Sequence, residues 1–106
     1  MVSILVVGAG NHLSPGLLAH LAGEAPERVF LCDRNVHAAQ EDAQSGHATA
    51  IDFDVNAADR ESVARAIDIA RPDHVVNLVG GGTFSLLEAL DPHDLMRMLT
   101  LNCVTA

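Results

Sequence analysis

The 106-residue sequence has no tryptophan, no tyrosine and no lysine; its six basic residues are all arginine (Arg28, Arg34, Arg60, Arg65, Arg71 and Arg97). Without lysine there is no Schiff-base chemistry, no lysine of a phosphate-binding loop and no Tyr–Lys proton-transfer pair. The aromatic residues are Phe30, Phe53 and Phe84 alone, too few for a base-stacking platform on single-stranded nucleic acid. Acidic residues outnumber basic ones by 14 to 6, and the formal net charge of −8 argues against nucleic acid or an anionic membrane as a partner. Two cysteines, Cys32 and Cys103, do not make a disulfide framework. Both stand in apolar stretches (FLC and LNC), where buried free thiols are expected. No apolar run approaches the ~18 residues of a membrane span, and Met1-Val2-Ser3 leads into ILVV with no charged segment before it. The expected setting is cytoplasmic and reducing.

What is present suits one globular domain over residues 1–106, with 49% hydrophobic and 19% charged residues. The elements alternate. Residues 2–7 (VSILVV) form a continuous apolar run, the mark of a strand buried on both faces. Ser14-Pro15 opens a helix, Ser as N-cap and Pro at the first position, running through Leu17, Leu18 and Leu21 to Gly23. A second strand covers 28–32 (RVFLC) and stops at Asp33. Asn35 can cap a helix whose Ala39 and Ala43 face the sheet, ending at Gly46. Residues 47–53 read as a third strand. A helix over roughly 59–70 places Val63, Ile67 and Ala70 at helical spacing behind an acidic first turn. The fourth strand spans 74–79, closed by Gly80-Gly81-Gly82. Asp91-Pro92-His93-Asp94 starts a last helix that is expected to reach the C-terminus.

Strands alternating with helices imply parallel βαβ units: an α/β fold, a Rossmann-like open sheet of about four strands with helices on both faces. Ligands of such sheets sit at the carboxyl ends of the strands, near the point where strand order reverses. Those ends here are Gly8-Ala9-Gly10, Asp33-Arg34, Asp54-Val55 and the glycines from Gly80. Gly8 and Gly10 between a strand and a helix permit a tight turn and a close approach of backbone N–H groups to a pyrophosphate; a plain βα turn has the same residues. Asp33 ends the second strand 25 residues after Gly8, where a carboxylate can accept both hydroxyls of an adenosine ribose. Strand-end acids also act simply as caps. Six histidines are scattered without the close pairing of metal ligands, so no metal is expected; only His12 lies at the ligand edge, where it can touch a phosphate.

Over residues 2–106 the order of these features resembles the N-terminal, NAD(P)-binding half of a short-chain dehydrogenase/reductase. The family's glycine turn corresponds to Gly8-Ala9-Gly10 with Gly16 downstream, its strand-end acid to Asp33, its adenine-contacting Asp-Val pair to Asp54-Val55, and its Asn-Asn-Ala-Gly strand end to Asn77-Leu78-Val79-Gly80. The asparagine of the family's central helix, a supporting member of its proton relay, falls on Asn102 in LTLNCVTA. Asn102 also shares a helical stripe with Leu95, Met98 and Leu99, where a carboxamide needs partners; a structural hydrogen bond to the neighbouring strand would supply them. The resemblance implies NAD as cofactor, since Asp33 repels a 2′-phosphate, with NADP kept open by Arg34.

Two departures stand out. Asn11, His12, Leu13 and Ser14 replace further glycines of the family's turn. The family's catalytic Ser, Tyr and Lys lie beyond the Asn-bearing helix, and neither Tyr nor Lys occurs in this sequence. The expectation is the cofactor-binding part of an oxidoreductase that is inactive by itself. The alternative is a non-catalytic nucleotide-binding or interaction domain of the same fold. Saccharopine dehydrogenase-like proteins share GAG after the first strand, but the LTLNCVTA segment and the triple glycine count against them. The fourth strand is expected to leave an apolar edge, and the last helix more apolar surface than four strands cover. Self-association, or a partner chain supplying the rest of the fold, would follow.

Overall fold

The computed structural model describes residues 2–10, 13–24, 28–44, 48–80, 89 and 91–104. Strand β1, Ser3–Val7, is buried along its whole length, as its unbroken apolar sequence requires of a central parallel strand. It pairs in parallel with β2 (Arg28–Cys32) on one side and β4 (His74–Asn77) on the other, and β2 pairs with a short β3 (Thr49–Ala50). The order β3-β2-β1-β4 makes β1 the strand from which the chain first builds one way, then returns to build the other.

Side chains of β1 alternate between two cores. Ile4 and Val6 join Val29, Leu31, Leu18 and Ala39 on the face covered by α1 (Ser14–Glu24) and α2 (Val36–Gln44). Leu5 and Val7 join Cys32, Ile51, Val55, Ala66 and Ala70 on the face covered by α3 (Arg60–Ala70). Helices therefore lie on both faces of the sheet, as the alternating sequence predicts.

Several boundaries or orientations differ from the sequence reading, among them the fourth strand, read over 74–79 and observed as His74–Asn77. The third strand, read over 47–53, is only Thr49–Ala50. Its ladder nevertheless continues, because Ile51 N–H donates to the Leu31 carbonyl (2.8 Å) and Val55 N–H to the Asp33 carbonyl (2.8 Å), either side of a bend at Asp52-Phe53. On α3 it is Ser62, Ala66 and Ala70 that are buried, while Ile67 is 42% exposed. Small residues let this helix lie close against β1, and the Ser3 hydroxyl donates to the Ala70 carbonyl over 2.9 Å. Ser14 does not cap α1: the Leu13 carbonyl accepts the first helical bond from Leu17 N–H (3.1 Å), so the helix starts one residue early. The last helix, α4 (Pro92–Leu99), passes into a π-helical turn at Thr100–Val104. There the Thr100 hydroxyl and the Asn102 carboxamide both bond to carbonyls four residues back, Met96 (3.0 Å) and Met98 (2.8 Å), competing with the helical ladder.

The caps at Asn35 and Asp91 follow the sequence, whereas Asp59, read as part of the first turn of its helix, is instead the N-cap of α3. Asn35 Oδ1 accepts from His37 N–H (3.0 Å), and Asp59 and Asp91 accept from Glu61 N–H (3.3 Å) and His93 N–H (2.9 Å). Arg71 closes α3 in the left-handed region (φ 42°), its N–H reaching the Ile67 carbonyl over 2.7 Å. Immediately beyond, Asp73 clasps the start of β1: its carboxylate accepts from Ser3 N–H (2.8 Å), and its own N–H donates to the Ser3 carbonyl (2.8 Å). Among the described residues β4 is an edge strand, as expected, with Val75 54% exposed. Helix α4 has no buried residue and exposes Leu95, Met96 and Leu99. A radius of gyration of 14.8 Å exceeds the ~13 Å of a compact domain of this length, in keeping with that exposed helix. No helix among the described residues is long and apolar enough to cross a membrane.

Candidate functional site at the carboxyl ends of the strands

The β1–α1 turn lies where strand order reverses, at the carboxyl end of the central strand. Gly8 (φ +84°) and Gly10 (φ +87°) both occupy the left-handed region, which costs an L-residue about 1–2 kcal/mol. Both are also packed too tightly for a side chain. A Cβ on Gly8 would stand 2.9 Å from Val79 Cγ2 and 2.9 Å from Val79 N, past the end of β4; one on Gly10 would stand 2.7 Å from Ala38 Cβ on α2. The amides of Gly8 and Ala9 both donate to the Cys32 carbonyl (2.9 and 3.0 Å), fixing the turn to the end of β2. Gly16 is different: it is exposed in the first turn of α1, and a Cβ there would meet nothing within 4 Å. No packing requires glycine at that position.

The strand-end acids meet at the N-terminus of α2. Asp33 is half-buried and its carboxylate accepts from Asn35 N–H (3.1 Å), while Asp54 accepts from Val36 N–H (2.9 Å). Each acid satisfies one of the amides that a helix start leaves without an internal partner. The capping role is thus present for Asp33, and its second carboxylate oxygen is outside that bond. Val55 is buried in the core beneath Asp33, so what this position presents at the strand ends is backbone. Arg34 is exposed beside Asp33.

At the end of β4, Asn77 Oδ1 accepts from Val79 N–H (3.0 Å), shaping the turn that leads to Gly80. A Cβ on Gly80 would stand 2.9 Å from Asn102 Oδ1, so the asparagine of the π-helical turn is brought against the end of β4. Asn102 is exposed, and its carboxamide bonds along its own helix to the Met98 carbonyl. His12 lies outside the described residues, as do Asn11, Gly81 and Gly82. Of the remaining sequence-derived site residues, the fold brings Gly8, Gly10, Asp33, Asp54, Asn77 and Gly80 to one edge of the sheet.

Three features escape the sequence reading. Asp42 of α2 accepts a 2.6 Å hydrogen bond from Gly10 N–H. The available signal is the spacing of Ala38 and Asp42, four residues apart on one helical stripe. Ser14 is fully buried at the start of α1, and its hydroxyl is the one buried side-chain polar atom without a partner among the described residues. Of the two thiols, Cys32 is buried but Cys103 is exposed, contrary to the apolar sequence around it. Burial, and secondarily the charge of Asp33, push the Cys32 thiol up to about 11. No group of metal-ligating side chains occurs among the described residues.

No protein-family model matches the sequence, and no curated protein is similar to it in sequence. Solved structures do match in fold. A short-chain dehydrogenase/reductase from Vibrio parahaemolyticus superposes with a TM-score of 0.81 at 20% identity, over 96% of this chain and 47% of that one. A 3-ketoacyl-(acyl-carrier-protein) reductase from Brucella melitensis, complexed with NADH, gives 0.80 at 22% identity, over 98% of this chain and 45% of that one. BdcA in complex with NADPH gives 0.73 at 24% identity, over 98% and 42%. At these identities the likeness is one of fold, and the chain spans a little under half the length of the structures it matches. The Rossmann-like architecture is that of the corresponding part of short-chain dehydrogenase/reductases.

Proposed function

We propose that this chain is the dinucleotide-binding part of a short-chain dehydrogenase/reductase-like oxidoreductase, with NAD as its preferred cofactor. The observation that carries the reading is the Gly8–Gly10 turn. Two left-handed glycines, both without room for a Cβ, stand at the strand-order reversal, and Asp33 ends the adjacent strand. A turn of this kind lets a pyrophosphate approach backbone at the N-terminus of α1. The residues present fit a nicotinamide dinucleotide, which when bound supplies or accepts a hydride.

In this reading Gly8, Gly10 and Gly16 belong to the phosphate turn, and His12 is a candidate phosphate contact from its place in the sequence. Asp33 accepts from the adenosine ribose hydroxyls while keeping its bond to Asn35 N–H, and its charge disfavours a 2′-phosphate; Arg34 is the residue that would admit NADP. Backbone at Asp54-Val55 borders the adenine. Asn77 and Gly80 line the opposite side of the crevice, and Asn102 supports it from the π-helical turn. The Tyr–Lys pair that the family uses for proton transfer does not occur within these 106 residues. A second reading is a domain that keeps the fold for nucleotide binding or assembly without chemistry. The exposed β4 edge and the apolar face of α4 support association with a second copy or with a chain completing the sheet, in a soluble cytoplasmic setting.

Titration calorimetry of the purified chain with NADH and NADPH, alongside its mass by light scattering, tests the proposal. Micromolar NADH binding, tighter than NADPH, is expected from an oligomer or complex. No binding to a folded, stable oligomer would leave the assembly reading, and a monodisperse monomer would remove the association.

A further inference from the structure

Gly10 is held against α2 by two contacts that follow from one helical stripe. Its Cα abuts Ala38, where a Cβ would come to 2.7 Å, and one turn further along the helix Asp42 receives its amide over 2.6 Å. Charge-assisted bonds of this length are among the stronger kind. Helix α2 (VHAAQEDAQ) carries no lysine or arginine, and its charged side chain at the turn is the carboxylate of Asp42.

We infer that Asp42 is a specificity-determining carboxylate of the glycine turn, one that sets the cost of bringing a phosphate to it. The inference rests on reading that turn as a dinucleotide site. A phosphate oxygen and a carboxylate oxygen compete for the same N–H. An anionic ligand gains the Gly10 amide only by displacing Asp42, and it meets like charge whether or not it succeeds. An uncharged nucleoside meets no such penalty. Asp42 therefore biases the crevice against phosphate-rich ligands. NADPH, with one more phosphate than NADH, is disfavoured from the α2 side as well as by Asp33.

The test compares wild type, Asp42→Ala and Asp42→Asn by calorimetry with NADH, NADPH and adenosine, each variant first checked for folding by circular dichroism. Asp42→Asn keeps a hydrogen-bond acceptor for Gly10 and removes the charge, so it stands in if Asp42→Ala loosens the turn. Roughly tenfold tighter binding of NADH in the variants, a larger gain for NADPH and an unchanged response to adenosine are expected, about the worth of one charge-assisted hydrogen bond. Binding by a variant where wild type shows none gives the same support. If wild type binds NADH and both variants bind it equally or more weakly, Asp42 is a structural tie; the inference fails while the dinucleotide site stands. If no form binds either dinucleotide, the site itself fails, and the inference with it.

Discussion

The amide of Val55 donates to the carbonyl of Asp33 across 2.8 Å, locking the end of the third strand segment to the end of the second. This bond sets Asp33 and Asp54 side by side, each carboxylate on a different amide at the start of α2. One helix terminus thus organises both acids of the proposed adenosine end of the site.

Replacement of Asp33 by alanine separates its two roles. Loss of its bond to Asn35 N–H should lower stability by about 1 kcal/mol, as for other helix caps. Loss of a charged acceptor for ribose should weaken NADH by roughly tenfold or more and narrow its advantage over NADPH. Chemical denaturation and calorimetry read the two effects separately, and an unchanged NADH affinity would remove Asp33 from the site.

The glycines divide into two kinds. Gly8→Ala and Gly10→Ala each combine left-handed strain with a clash, and each should destabilise by roughly 2–5 kcal/mol. Gly16→Ala meets open space in a helical turn and should stabilise by about 0.5 kcal/mol. Urea midpoints for the three variants would reveal an error in either assignment.

Ser14 presents a simpler case. A buried hydroxyl without a partner carries a cost of about 1–3 kcal/mol, so Ser14→Ala should raise stability by about 1 kcal/mol. A destabilised variant would mean that the hydroxyl is bonded in solution.

The two thiols should differ in reactivity. Cys103 is exposed and Cys32 is buried with its thiol pushed up to about 11, so iodoacetamide on the native protein at pH 8 should label Cys103 alone. A thiol raised from an ordinary value of 9.0 favours the folded state fully below that value. That contribution is lost as pH rises through about 11. Stability should therefore fall between these limits, and less steeply in Cys32→Ser.

Much of the fold was legible because strand β1 and the caps at Asn35 and Asp91 are local signals. Tertiary context overrode the rest. Apolar spacing pointed Ile67 inward, but close packing of α3 on β1 favoured Ser62, Ala66 and Ala70 instead. Thr49–Ala50 is short because the chain bends at Asp52-Phe53, though its ladder bonds persist. The glycine turn and its neighbouring acid were visible as types at a spacing. That Asp42 reaches Gly10 was not, since their contact spans 32 residues and depends on how α2 lies across the turn.

The clasp between Ser3 and Asp73 bears on how the chain reaches this structure. It joins positions 70 residues apart, whereas the β1–α1–β2 unit closes over about a third of that distance. The entropy of closing a loop rises with its length, so the shorter unit has the advantage in nucleation. Pairing of β4, and with it the completed crevice, should come after the transition state. Asp73→Ala, which removes the carboxylate that accepts from Ser3 N–H, should then accelerate unfolding while leaving the refolding rate nearly unchanged, giving a φ-value near zero. The crevice at the carboxyl ends of the strands would be the last part of the domain to assemble and the first to open.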